Sequence, residues 1–181
     1  MKKLTIIFTI ILSVFSKNVM AQGEHPSNKT ASNTIVDVAV SNKDFSTLVT
    51  ALKAADLVSA LQGAGPFTVF APTNDAFGKI DAETLGSLLE KENQKVLANI
   101  LTYHVIAGKL AAADVVAALE KGNGSVVLTA LNGEAITVIQ KDGKIWLKDS
   151  NDNYSEITAT DVMADNGVIH IINTVAMPKN D

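Results

Sequence analysis

Histidine is the residue type in this sequence best suited to acid–base catalysis or metal binding, and the chain has three. His25 lies near the start, so a metal site would have to combine His104 and His170 with carboxylates far away in sequence. The spacing supports no such site, and we expect no metal. His104 follows an apolar helical pattern, which favours a core histidine that hydrogen-bonds backbone groups; a ligand or catalytic role is the alternative. His170 alternates with apolar strand residues, which again indicates packing.

Calcium ligands are the second possibility, because Asp149, Asn151 and Asn153 place side-chain oxygens at alternate positions. A calcium loop of this kind requires glycine at its sixth position and glutamate at its twelfth. Tyr154 and Thr160 occupy those two positions. We therefore predict a polar turn between strands rather than a calcium site.

Nucleophilic catalysis needs an activated side chain on a constrained turn, with a base beside it. The sequence contains no cysteine, no Gly-x-Ser-x-Gly and no Ser-x-x-Lys. The absence of cysteine also excludes disulfides, zinc–thiolate sites and a lipidated cysteine. We predict that the protein is not an enzyme and uses no cofactor.

The charge pattern argues against nucleic acid as a partner. All 15 basic residues are lysines, 19 residues are acidic, and the formal net charge is −4. Without arginine the chain lacks the planar donor fork that recognises phosphates and guanine edges. A net negative surface also repels a polyanion.

The N-terminus has the order of a secretory signal peptide, with two lysines before an uncharged run from Leu4 to Phe15. A bilayer takes roughly 20 apolar residues, so a cleaved signal is favoured over an uncleaved N-terminal anchor. Small residues suit a cut after Ala21. We expect residues 1–21 to be removed, residues 22–34 to form a flexible tether, and the mature protein to be secreted, extracellular or periplasmic, without a transmembrane segment.

The first half of the remaining chain is predicted to be mainly helical, because apolar residues recur at helical spacing. One apolar face contains Phe45, Leu48, Val49 and Leu52 and is extended by Leu57, Val58 and Leu61. The later predicted features are a strand at Phe67–Phe70, a helix capped by Thr73 or Asn74, a helix capped by Asp81, a helical stripe of Val96, Leu97, Ile100 and Leu101, and a helix at Ala111–Leu119.

The last third is predicted to be strands, and Asn132-Gly133 and Asp142-Gly143 predict two-residue hairpin turns. On a strand, Trp146 faces away from Ile145 and Leu147, where it either covers a helix or is an exposed binding aromatic. The predicted strands are Ser125–Ala130, Glu134–Gln140, Ile145–Lys148, Ile157–Val162 and Val168–Met177. Helices followed by a strand meander predict a single α+β domain, with helices mainly from the N-terminal half packed on a largely antiparallel sheet or sandwich.

Three stretches coincide, in order, with the landmarks of one family. Thr68–Phe77 resembles the first signature box of fasciclin domains, Leu101–Leu110 their tyrosine–histidine segment, and Asn166–Pro178 their second box. The resemblance covers about residues 35–178. It implies one compact, wedge-shaped, fasciclin-like domain.

The resemblance also implies a function. In adhesive members, partner binding is assigned to the tyrosine–histidine segment and to an Asp-Ile type motif before the second box. The matching positions are Tyr103, His104, Asp161, Val162 and Met163, with valine in place of isoleucine. The expected protein is a non-catalytic adhesion or interaction module for a cell-surface, matrix, envelope or host component, either protein or polysaccharide. A small-ligand-binding envelope protein, with its pocket near Tyr103 and His104, is the alternative.

Overall fold

The computed structural model describes residues 33–179. The predicted signal peptide, residues 1–21, and the tether up to residue 32 lie outside the described residues. The helices are α1 (Ile35–Ser41), α2 (Ser46–Ala54), α3 (Val58–Leu61), α4 (Asn74–Phe77), α5 (Ala82–Leu88), α6 (Gln94–Tyr103) and α7 (Ala112–Lys121), with 3₁₀ turns at Lys43–Phe45 and Lys91–Asn93. The strands are β1 (Phe67–Pro72), β2 (Val105–Ala107), β3 (Ser125–Thr129), β4 (Ala135–Lys141), β5 (Lys144–Lys148), β6 (Tyr154–Ala164) and β7 (Gly167–Ile172).

Side-chain caps set the start of several helices, because the first backbone N–H groups of a helix have no partner within it. Thr34 caps α1 in a capping box with Asp37, and the hydrogen bonds from Thr34 hold the pKa of Asp37 below its usual value. Thr73 caps α4 by accepting from Ala76 N–H, and Asp81 caps α5. The predicted caps at Thr73 and Asp81 are confirmed.

The helical prediction is wrong in two details. The apolar pattern from Phe45 does not run on as one helix, because α2 ends before Asp56, whose φ of 58° is left-handed, and α3 begins separately. A left-handed residue interrupts the hydrogen-bond ladder of a right-handed helix. Val96 was predicted on the buried stripe of α6 but is 52% exposed. The buried residues of that helix include Leu97 and Leu101.

The seven strands form one sheet in the order β2-β1-β7-β6-β5-β4-β3. Five of the six strand pairs are antiparallel, and β1 and β7 run parallel. Every residue of β7 except Ile171 is buried, as expected for a strand flanked on both sides and covered on both faces. Helices α1 to α6 all precede His104, and only α7 follows it in the part of the chain that the structure describes. The predicted α+β fold, with a largely antiparallel sheet and helices mainly from the N-terminal half, is confirmed.

Two apolar clusters stabilise the fold. The first packs α1, α2 and α6 against β1 and β7, with Leu52 and Ile169 among its buried residues. The second lies between α7 and the sheet and includes Phe70 of β1 and Ile106 of β2. Leu119, Ile136 and Leu147 are fully buried in it. Burying one such side chain contributes roughly 1.5–3 kcal/mol. A bridge between Ile106 of β2 and Ala130 brings the two ends of the sheet together.

Asparagines in the two signature boxes connect distant backbone segments. Asn166 accepts from Ile35 N–H (2.9 Å) and donates to the carbonyls of Leu61 (2.7 Å) and Gly63 (3.0 Å). Asn74 similarly accepts from Thr47 N–H (2.9 Å) and donates to the Lys43 carbonyl (2.9 Å). These side chains supply hydrogen-bond partners to backbone groups outside the helical and strand ladders.

Gly167 allows the parallel contact between β1 and β7. A Cβ atom there would lie 2.1 Å from the carbonyl oxygen of Phe67, its partner in the ladder. No larger side chain fits at that distance without moving a strand. The Asn166-Gly167 pair of the second box is therefore explained by packing and hydrogen bonding.

The strand predictions differ from the structure at the end of the last strand and at one of the two predicted hairpin turns. The last predicted strand, Val168–Met177, ends as β7 at Ile172, because residues 173–179 form an irregular segment with other partners. At Asp142-Gly143 both residues have positive φ (54° and 74°), as predicted, whereas at Asn132-Gly133 only the glycine does (89°). The side chain of Asn132 instead accepts from Glu134 N–H (3.0 Å).

Within residues 33–179, no helix has both the length and the apolarity to cross a bilayer.

Candidate functional site

His104 lies at the C-terminal end of α6 and is 2% exposed. Its ring Nδ1 is 2.8 Å from the carbonyl oxygen of Ile100, and its Nε2 accepts from Ala176 N–H (3.1 Å). This pair of bonds requires the neutral tautomer with the proton on Nδ1. Burial lowers the pKa of His104 to about 4, so the ring is neutral at physiological pH. Both ring nitrogens are used, and neither is free to bind a metal or take up a substrate proton.

Tyr103 is the largest fully buried side chain of the described residues. Its hydroxyl donates to the carbonyl of Ala135 (3.0 Å) and lies 3.2 Å from Ser150 Oγ. Burial raises the pKa of this phenol. Tyr103 therefore fixes the end of α6 to β4 and to the turn after β5.

Asp161 lies in an irregular part of β6, where the register with β7 shifts between Ala159 and Val162. Its φ of 60° is left-handed, a conformation that aspartate tolerates better than most residues. Its carboxylate accepts from Ala112 N–H (2.8 Å), the first backbone group of α7. The bulge of β6 is thereby attached to the start of a helix.

His170 lies beneath this bulge and hydrogen-bonds backbone groups there, a role that the sequence analysis did not predict. Its Nδ1 accepts from Asp161 N–H (3.4 Å), its Nε2 is 2.8 Å from the Leu110 carbonyl oxygen, and its ring packs 5.7 Å from that of Phe70. The predicted packing role is correct as far as it goes. The alternation of His170 with isoleucines showed burial, but no sequence signal showed which backbone groups it would join.

The five predicted site residues separate into an interior pair and a surface group. Tyr103 and His104 are buried, whereas Asp161 is exposed and Met163 is 49% exposed. Val162 is half-buried against the first apolar cluster. Among residues 33–179, no hydrogen bond joins the interior pair to the surface group.

The surface group lies on a sheet edge. β5 pairs with β6 only from Tyr154 to Glu156, so the later part of β6 has β7 on one side and no strand of the described chain on the other. Residues 158–161 are all exposed. A strand edge of this kind presents side chains and backbone groups to a partner.

The fasciclin domain model matches residues 43–178, a range that contains all three stretches quoted above. The chain belongs to the fasciclin family. Protein sll1483 of Synechocystis sp. is 52% identical over 145 residues, which cover 80% of this chain and 73% of that protein. Transforming growth factor-beta-induced protein ig-h3 of Sus scrofa is 38% identical over 146 residues, which cover 80% of this chain and 19% of that protein.

The fold of this fasciclin domain also matches a solved structure. A FAS1 domain pair from the insect cell adhesion molecule Fasciclin I has a TM-score of 0.69 and 21% sequence identity. The match covers 79% of this chain and 50% of the domain pair. At this identity the match shows the shared fold, and the match to the family model shows the membership.

The polar turn that suggested calcium ligands is closed by its own hydrogen bonds. The carboxylate of Asp149 accepts from the backbone N–H groups of Asn151 (2.9 Å), Asn153 (2.9 Å) and Met177 (3.0 Å). Among residues 33–179, no group of three or more histidine, cysteine, aspartate or glutamate side chains is placed to hold a metal ion. Asp149 instead attaches the C-terminal segment of the fasciclin domain to the sheet.

The cavity beside His104 is small. It encloses about 20 Å³, and its lining is almost wholly apolar, with Leu52, Leu101 and Ile169 among the side chains. A cavity needs at least about 10–15 Å³ of enclosed space, together with polar partners, to hold one water molecule. This cavity therefore has no room for a metabolite.

Proposed function

We propose that this fasciclin domain is an exported, non-catalytic adhesion or interaction module that binds a matrix, envelope or host component. Fasciclin domains of this kind belong to adhesion and matrix-associated proteins, which supports the general role. The signal-like N-terminus supports export to the periplasm or the extracellular space. Mass spectrometry of protein recovered from cell fractions tests this part, with a mature chain beginning at Gln22 as the expected result.

The binding surface that we propose is the later part of β6, with Asp161, Val162 and Met163 as contact residues. The observation that carries this proposal is the exposed, unpaired edge formed by residues 158–161 and Met163. An edge that is both accessible and anchored keeps its shape before binding, which reduces the entropic cost of association. The anchors here are Asp161 on α7 and His170 beneath the bulge.

Tyr103 and His104 have a different part in this proposal. Because both are buried, neither offers surface to a partner in the folded domain. We propose that they position α6 and the C-terminal segment, through Ala135 and Ala176 respectively. Their loss would then reduce binding only as far as it reduces the folded fraction.

The test is saturable binding of labelled protein to whole cells and to extracted matrix, with heat-denatured protein as the control. Met163→Glu should weaken binding about tenfold or more, since it places a charge in the contact surface. Val40→Glu is the matched control, because Val40 is a 60% exposed apolar residue on α1. Equal loss of binding in both variants, or in neither, would contradict the assignment of the surface.

A groove beside α6 supports the small-ligand alternative. It has a volume of about 470 Å³ and is lined by Lys95, Val96, Asn99, Ile100, Met177, Pro178 and Lys179. This volume lies within the roughly 300–1,000 Å³ range of small-molecule sites, and two lysines favour an anionic ligand. Thermal-shift measurements with small carboxylates and phosphates test it, because a ligand that binds only the folded state raises the Tm. Lys95→Gln should remove any such shift.

A further inference from the structure

The outer face of the sheet formed by β3 to β6 carries aromatic side chains that the adhesion proposal does not use. On the inner face Ile136, Val138 and Leu147 are fully buried. The alternating residues face outward, and Tyr154 remains 49% exposed and Trp146 half-buried. The predicted orientation of Trp146, opposite to Leu147, therefore places it on the accessible side of the sheet.

The strand register brings these aromatics into one groove. Trp146 pairs directly with Ile139 on β4 and with Glu156 on β6, and Tyr154 is its diagonal neighbour across the β5–β6 pair. Diagonal neighbours of this kind lie within reach of aromatic side chains. The groove has a volume of about 340 Å³ and is lined by Ile139, Lys141, Asp142, Trp146 and Tyr154. That volume is sufficient for a small ligand or for one segment of a longer one.

The indole nitrogen of Trp146 has no hydrogen-bond partner among the described residues, although it is buried. A buried donor without an acceptor is uncommon, because the N–H group of a buried tryptophan ordinarily finds a partner. The neighbouring Lys144–Glu156 ion pair (2.7 Å) is partly exposed, with the lysine side chain 57% accessible. Exposed ion pairs contribute little and open readily. Because Glu156 is the ladder partner of Trp146, a ligand that displaces this ion pair can bring an acceptor oxygen toward the indole.

The charges around the groove are balanced. Lys144 is paired with Glu156, Lys148 is paired with Asp152 (2.6 Å), and Lys141 stands beside Asp142 in sequence. A strongly anionic or cationic polymer gains no net attraction from such a surface. A neutral ligand that combines an apolar face with hydroxyl groups is the chemistry that fits.

We propose that the groove formed by Trp146, Tyr154 and Ile139 binds a segment of a neutral polysaccharide. A pyranose ring can stack its C–H face on the aromatic rings while its hydroxyl groups take up the indole N–H, the tyrosine hydroxyl and the flanking polar side chains. This site is separate from the β6 edge, so it does not depend on the surface proposed above. The two surfaces give the domain two independent contacts, one of them with sugar.

The tryptophan itself reports on the groove, because it is the only one in the chain. The experiment is a titration of the purified protein with cellohexaose and with maltohexaose, followed by intrinsic fluorescence and by calorimetry. A saturable change in emission with at least one of these neutral hexasaccharides is the expected result. No saturable signal with either at millimolar concentration would overturn the proposal.

Variants locate the site. Tyr154→Ala should weaken the affinity about tenfold or more, as expected for a central aromatic contact. Trp146→Phe retains a ring but loses the N–H group, and calorimetry should show a loss of about fivefold. Val127→Ala is the matched control, since Val127 is a 63% exposed residue of the same face but does not line the groove. Near-UV and far-UV circular dichroism confirm that each variant is folded.

Two further outcomes would also overturn the proposal. One is equal affinity of the wild type and Tyr154→Ala for the hexasaccharide. The other is a stronger response to oligogalacturonate or to peptides than to neutral sugars. Neither outcome affects the test of the β6 edge, because Met163→Glu is scored on cells and matrix.

Discussion

The tyrosine–histidine segment and the aspartate motif before the second box are both landmarks of the same family, but they lie in opposite environments. Tyr103 and His104 are enclosed and have their polar atoms hydrogen-bonded. Asp161 and Met163 lie on an accessible edge of β6. A landmark in sequence can thus mark a fold requirement in one place and an accessible surface in another. The difference predicts that substitutions at His104 act mainly on stability and substitutions at Met163 mainly on binding, while Asp161, which is exposed but hydrogen-bonded to α7, lies between them.

His104→Ala should produce the largest effect. The change leaves the Ile100 carbonyl and the Ala176 N–H without their partner and creates a cavity. Two unsatisfied buried groups and the lost packing together cost about 3–5 kcal/mol. Urea denaturation monitored by circular dichroism measures the free energy of unfolding. An unchanged midpoint would remove the distinction between the two regions.

The pH dependence of stability should also reveal the burial of His104. Burial lowers the pKa of His104 from 6.5 to about 4, so the unfolded chain takes up this proton at a higher pH than the folded domain. The associated stability is complete above pH 6.5 and is lost as the pH falls toward 4, by roughly 3 kcal/mol. His104→Asn, which does not titrate, should have a shallower slope over that interval. Parallel curves for wild type and variant would show that the imidazole is not protected.

Asp161→Ala should have an intermediate effect. Alanine loses the hydrogen bond to Ala112 N–H and is strained at a φ of 60°. We expect a loss of about 1–2 kcal/mol in the free energy of unfolding. Asp161→Asn retains an acceptor oxygen and tolerates the left-handed conformation, so it should be within about 0.5 kcal/mol of the wild type. A loss as large in the asparagine variant would indicate that the charge, rather than the geometry, matters.

Tyr103→Phe tests the interior pair at a single atom. The ring and its packing remain, while the hydroxyl bond to the Ala135 carbonyl is lost. We expect about 1 kcal/mol of destabilisation, measured by the denaturation midpoint. Binding to cells should be unchanged at temperatures where the variant is folded. A binding defect in the folded variant would place Tyr103 in the functional surface after all.

Met163→Ala should have the smallest effect on stability, within about 0.5 kcal/mol, because the side chain is half exposed at the edge of β6. The same variant should nevertheless weaken binding to matrix if the edge is the contact surface. Parallel measurement of Tm and binding separates the two quantities. A large fall in Tm would move Met163 into the group of fold-supporting residues.

The class of fold and most element positions could be predicted from the sequence alone. Helical spacing around Leu48 and Leu52, cap residues such as Thr73 and alternation in the C-terminal third are local patterns that depend on neighbours along the chain. The three family stretches identified the family for the same reason, since they can be recognised in order without coordinates. The environment of His104 also followed from local pattern, as the end of an apolar helix.

The contacts between distant groups could not be predicted in this way and are known from the three-dimensional structure. The parallel pairing of β1 with β7, the attachment of Asp161 to α7 through Ala112, and the position of His170 beneath the bulge join residues far apart in sequence. Periodicity carries no information on such partners, because many arrangements bury the same apolar faces. The same reason applies to the proposed sites. Exposure of Met163 and the unpaired indole of Trp146 depend on which strands end where, and only the assembled sheet settles that.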